Sequence, residues 1–154
     1  MHRICGLLGK ATAQAAGTIG KSTIDTAAVK YRATVMGGAP QLFIPLINLP
    51  DFNKYDLSNI KLAGSGAAPL PVAVLEKMMS AFPGVVAEGF GMPECTMGAT
   101  MNPPFRDRIR YGSVGLPIFD TECKVVHPET GEDLPVGEEG EILIRGPQVM
   151  QGYW

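Results

Sequence analysis

The sequence predicts an α/β fold: a βαβ section over residues 1–110, followed by a short antiparallel β section over 111–154. Three observations predict it. Between Ile60 and Phe90 two short strand-like runs flank a stretch with helical periodicity, the spacing of a βαβ unit with parallel strands. After Tyr111 two alternating runs are separated by tight-turn residues, the pattern of antiparallel pairing. The charge changes at the same place. Residues 1–50 carry five basic groups and one acidic, residues 51–110 six of each, and residues 111–154 two basic against eight acidic.

The elements follow in order. Residues 1–20 are rich in Gly and Ala and fix no element, and a short helix is expected over Thr23–Lys30. Tyr31–Met36 is a β-branched and aromatic strand that Gly37 and Gly38 stop. Pro40, suited to a first helical turn, opens a helix to about Asn48. Asp56-Leu-Ser-Asn is a turn, and Ile60–Gly64 a strand ending in a Gly/Ala loop. Pro71–Phe82 is a helix whose Val72, Leu75, Met79 and Phe82 share a core face. Pro83-Gly84 ends it, and Val85–Phe90 is the next strand. Glu94, just past Pro93, falls in the first turn of a helix, where a carboxylate complements the dipole. Glu122–His127 and Glu141–Arg145 are strands, separated by turns at Pro128–Gly131 and Pro135–Glu138.

Composition removes several classes of function. At 154 residues, 45% of them hydrophobic, the chain can bury a core of moderate size. No apolar run approaches the roughly 18 residues of a membrane helix, and no secretory leader opens the sequence. No cluster of Lys and Arg interleaves with aromatics, which argues against nucleic acid as a partner. The three cysteines, Cys5, Cys95 and Cys123, are far apart, and the histidines are only His2 and His127. That set is poor for zinc and suits structural thiols in a reducing, cytoplasmic setting.

Two loops after strands carry glycine fingerprints, Gly64-Ser-Gly66 and Gly89-Phe-Gly91. Neither has the third glycine of a dinucleotide fold. There is no phosphate-binding GxxxxGK[ST] and no nucleophile elbow around Ser65. Their position is the informative feature, because open α/β sheets bind ligands at the carboxyl ends of parallel strands. Small residues over 64–68 let backbone approach a flat ring, and Phe90 can stack on it. Tight turns would use the same small residues.

In Lys30-Tyr-Arg-Ala-Thr-Val-Met-Gly-Gly-Ala-Pro40, Tyr55-Asp-Leu-Ser, Gly64-Ser-Gly-Ala-Ala-Pro-Leu70 and Glu88-Gly-Phe-Gly-Met-Pro-Glu94 the chain resembles the adenylate-forming acyl-CoA synthetases. The likeness continues through Gly112-Ser-Val-Gly-Leu-Pro117, Pro128-Glu-Thr-Gly131 and the run from Gly140 to Trp154. It is nearest to fatty-acid–CoA ligases, with enzymes like 4-coumarate–CoA ligase next. The resemblance implies part of that family's N-terminal domain. It also implies a carboxylic acid that attacks ATP to form an acyl adenylate, which coenzyme A converts to a thioester. By the same resemblance Gly66, Ala67 and Ala68 line adenine, with Glu88 and Gly89 at its edge and Phe90 stacked on it. Glu94 would hold Mg²⁺, and Met36, Gly37, Gly38, Pro40, Gly64 and Gly91 would border the acyl site.

Departures from the family pattern qualify this. The threonine that usually precedes the magnesium glutamate is Pro93, which has neither hydroxyl nor N–H. The family's Ser/Thr/Gly-rich phosphate loop, ribose-binding aspartate and catalytic lysine have no counterpart in the sequence. The expectation is therefore a partial ligase, inactive by itself. Two alternatives stand beside it: a non-catalytic nucleotide- or acyl-binding module, and a structural remnant that associates into homo-oligomers through open sheet edges.

Overall fold

The computed structural model describes residues 28–154. The helix expected over Thr23–Lys30 lies mostly outside them, and Ala28–Lys30 form a π-type helical turn. A five-stranded sheet follows, ordered β1 (Val35–Gly38), β2 (Leu62–Ser65), β3 (Val85–Phe90), β4 (Thr100–Met101) and β5 (Leu116–Pro117). The first three strands run parallel, and β4 and β5 continue antiparallel. A separate antiparallel pair is formed by β6 (Glu122–Val126) and β7 (Glu141–Arg145), with Glu122 opposite Arg145.

β4 and β5 are strands the sequence does not signal, β6 ends one residue before His127, and two further strands start later than expected. β1 begins at Val35 instead of Tyr31 and runs through both glycines. The residues before it close a turn, with Ala33 N–H donating to Ala28 O at 3.2 Å and Arg32 at φ +50°. Gly37 and Gly38 stay in the strand because a ladder needs only backbone, and they pair with Gly64 and Ser65. β2 likewise starts late, at Leu62, because Ile60 N–H closes a turn onto Leu57 O at 3.0 Å. β3 and β7 occupy the expected residues.

Helix α1 (Pro40–Ile47) has Pro40 at its start and ends at Asn48, whose side-chain amide donates to Ile44 O at 2.8 Å. Its buried face is Pro40, Phe43, Leu46 and Ile47. Helix α2 (Val72–Ala81) buries Leu75, Met78 and Met79, with Phe82 just beyond. Val72 is not core as the spacing suggested. It is 43% exposed in the first turn, and Met78 takes the buried position. The carbonyls at the far end of α2 meet Arg106, whose guanidinium donates to Phe82 O, Pro83 O and Gly84 O at 3.3, 3.2 and 2.9 Å and also to Met79 O. Both helices pack on the parallel strands. Phe43, Ile60, Leu75, Met78, Phe82 and Val86 form the centre, and Phe52 meets Phe82 edge-to-face with centroids 6.1 Å apart.

Candidate functional site

The parallel register brings the small residues together at the carboxyl ends of the strands. Gly37, Gly64 and Ala87 align across β1, β2 and β3, and one residue on so do Gly38, Ser65 and Glu88. Gly66 N–H donates to Gly38 O at 3.2 Å, which keeps the 66–70 loop close to β1. Ala67 in that loop has φ +66°, a left-handed conformation that favours glycine, so its backbone is held by surrounding contacts.

Glu88 is buried, and its Oε1 accepts the Leu70 N–H at 2.8 Å. A carboxylate acceptor on a backbone donor is worth about 1.5–3 kcal/mol, enough to pin the loop against β3. The Glu88 backbone is pinned in turn by Asn102. That buried residue donates to Glu88 O from its N–H at 2.9 Å and from Nδ2 at 3.2 Å. Nδ2 also donates to Ser113 O at 2.5 Å, while Oδ1 accepts Arg110 N–H at 3.1 Å. Asn102 thus ties the end of β3 to the 110–113 loop. Ser65 Oγ, also buried, has no hydrogen-bond partner among the described residues.

The glycines divide by what a Cβ would meet. At Gly91 it would lie 2.0 Å from Met97 O, and at Gly89 2.9 Å from Thr100 O, so the protein's own packing demands those two. At Gly66 and Gly64 the nearest atoms are backbone oxygens at 3.4 and 3.9 Å, and at Gly37 nothing described lies within 4 Å. Packing forbids a Cβ at none of these three, and Gly37 faces open space at its strand end. Met36 packs against the core and Pro40 is buried at the start of α1.

Beyond the half-buried Phe90 the chain makes a 3-10 turn, Pro93–Cys95, shorter than the helix expected there. Cys95 closes it, its Sγ accepting Met92 N–H and donating to Met92 O, both at 3.3 Å. Glu94 is partly exposed, and its Oε1 accepts the Tyr153 hydroxyl at 2.6 Å. That bond, with the residue's own N–H, holds the Glu94 carboxyl below the usual carboxylate range against a smaller opposing effect of burial. The same bond pushes the Tyr153 phenol up. Met150 N–H donates to Glu94 O at 2.8 Å, and Thr96 Oγ1 to Gln148 O at 2.7 Å. Gln148 Nε2 reaches Gly98 O at 3.3 Å and Thr121 Oγ1 at 2.7 Å. Residues 148–153 therefore lie as a strap over the 91–98 loop. Thr96 spends its hydroxyl donor on the strap.

Two shallow clefts, of about 400 and 300 Å³, lie at the other end of the parallel strands, around Asn53, Lys77 and Ala81 and around Tyr55, Leu57 and Pro83. No cluster of three His, Cys, Asp or Glu side chains fit to hold a metal occurs among the described residues. His127 serves its turn, with Nδ1 accepting Glu129 N–H at 3.2 Å and Thr130 N–H at 3.3 Å. No described helix is long and apolar enough to cross a membrane.

Residues 10–154 match the family of AMP-binding enzymes. The chain belongs to that family. A long-chain-fatty-acid–CoA ligase of Bacillus subtilis is 39% identical over 125 residues, covering 81% of this chain and 22% of the relative. The 4-coumarate–CoA ligase-like protein 9 of Arabidopsis thaliana is 38% identical over 125 residues, covering 80% and 22%. A crystal structure of an anthranilate–CoA ligase in complex with anthranoyl-AMP superposes with a TM-score of 0.79 at 29% identity, over 86% of this chain and 25% of that one. The chain of this AMP-binding family member thus spans about a fifth of the length of those curated relatives. Its fold is that of part of the N-terminal domain of acyl-CoA ligases.

Asn102, Gln148 and Tyr153 were not foreseen from the sequence. Tyr153 stands inside a recognised motif, but only the folded chain places it 2.6 Å from a carboxylate 59 residues away.

Proposed function

We propose that the chain supplies the adenine shelf and the magnesium carboxylate of an ATP-dependent fatty-acid–CoA ligase. In that reading the 66–68 backbone lines the adenine, Gly89 borders it and Phe90 stacks on it. Glu88 serves by holding the 66–70 loop in place. The open space beside Gly37, next to Gly64 in register, would take the start of the acyl chain. The observation that carries this is the in-register convergence of three small-residue strand ends, two of whose glycines the packing does not require.

The reaction would be attack of a carboxylate on ATP, releasing pyrophosphate, and then displacement of AMP by the thiol of coenzyme A. Mg²⁺ fits the residues present: Glu94 offers one ionised, partly exposed oxygen donor, and this cation takes most of its ligands from water and substrate phosphates. Bound there it would offset the phosphate charge. Residues 1–110 would carry the adenylate loops and 111–154 the start of a β-rich section. These 154 residues alone would not catalyse adenylation, since most phosphate contacts of the family have no counterpart in them.

Ligand-observed NMR with AMP and adenosine tests the reading. Stacking contributes only about 0.5–1.5 kcal/mol beyond area burial, so affinity on the order of 1 mM is expected. Phe90→Ala should weaken both ligands alike. Equal signals from wild type and Phe90→Ala would remove the shelf.

A further inference from the structure

We propose that Tyr153 is a positioning residue for Glu94, fixing one carboxylate oxygen so that the other faces a divalent cation carrying nucleotide phosphates. The inference rests on the nucleotide reading above and adds a residue to it. Three observations support it. The Tyr153 hydroxyl donates to Glu94 Oε1 at 2.6 Å, a short charge-assisted bond. The same strap also grips the turn's backbone, through Met150 N–H on Glu94 O at 2.8 Å, and the residue after it, through Thr96 Oγ1 on Gln148 O at 2.7 Å. Finally, the turn itself offers this carboxylate only the Glu94 N–H. Pro93–Cys95 is a three-residue 3-10 turn, and Pro93 has no N–H to offer.

A glutamate on so short a turn has several rotamers open to it, and a cation taking a single protein oxygen depends on which one is populated. Partners that orient a metal ligand are typically worth about 10–100-fold in metal affinity. Tyr153 is 74% exposed, so the lower end applies.

The test measures Mn²⁺ with ATP by water-proton relaxation, and AMP without metal by ligand-observed NMR. Both are applied to the wild type, Tyr153→Phe, Glu94→Gln and the double variant. Tyr153→Phe should weaken Mn²⁺·ATP about tenfold while leaving AMP affinity unchanged. Added to Glu94→Gln it should cost nothing more, because the two side chains act as one unit. A change under about twofold in Tyr153→Phe, or equal weakening of AMP, overturns the positioning role and leaves the nucleotide reading standing. Failure of the wild type to bind AMP overturns both.

Discussion

Replacing Gly91 by Ala places a Cβ 2.0 Å from Met97 O, 2.5 Å from Met97 C and 2.8 Å from Gly98 N. All three are backbone atoms, so no side chain can swing aside and the 97–98 segment must retreat by more than an ångström. Met97 and Thr96 already sit at φ +72° and +50°, which leaves the loop little slack. Overpacking costs about 1–3 kcal/mol, and rigid backbone contacts put this case near 3. Retreat also disturbs the strap contacts at Thr96 and Glu94, each worth about 1 kcal/mol, so relief by local opening gains little. The expected loss is about 3 kcal/mol, roughly a hundredfold in the folded-to-unfolded ratio. Gly37→Ala is the control. Its Cβ meets nothing described within 4 Å, and the unfolded chain loses entropy, so stability should stay level or rise by less than about 1 kcal/mol. Urea unfolding followed by far-ultraviolet circular dichroism reads both. Equal midpoints for the two variants, or a larger loss at Gly37, would refute the division of the glycines into packed and open.

Arg106→Ala should cost about 1.5–3 kcal/mol in the same assay, because one exposed guanidinium serves four carbonyls at the end of α2. Arg106→Lys should recover less than half, since a point charge cannot reproduce the fork. Asn102→Asp removes the Nδ2 donor and sets a carboxylate against Glu88 O and Ser113 O, so AMP affinity should fall together with stability; an unchanged urea midpoint would count against the Asn102 hub. The strap should also depend on pH at both extremes. Glu94 is depressed on folding, so its contribution is present above the unfolded carboxylate pKa and is lost as pH falls through the folded one. Tyr153 is raised, so its contribution is present below the unfolded phenol pKa and is lost as pH rises through the folded one. The midpoint difference between wild type and Tyr153→Phe should vanish at both ends, and a pH-independent difference would contradict it.

Much of the architecture was legible because local pattern and tertiary demand agree there. Val85–Phe90 and Glu141–Arg145 are strands by composition and strands in the fold, and α2 follows its apolar spacing apart from Val72. The sequence misleads where backbone alone decides. Gly37 and Gly38 read as a stop, yet they pair through their peptide groups in β1. Thr100–Met101 and Leu116–Pro117 are two-residue strands with no propensity signal of their own, held by pairing to β3 and to each other. The loops of the candidate site follow strands in the fold as they do in the sequence. Their supports were not legible there, because Asn102 and Tyr153 act across 14 and 59 residues, and no local periodicity encodes such contacts.

Nucleotide should bind at the carboxyl ends of β1 to β3. Amide shift mapping on the ¹⁵N-labelled chain during an AMP titration tests it most directly. Shifts should centre on Gly66, Ala67, Ala68, Gly89 and Phe90, with Asn53 and Lys77 at the opposite cleft unmoved. Shifts centred on Asn53 and Lys77, with the 66–68 amides silent, would contradict it.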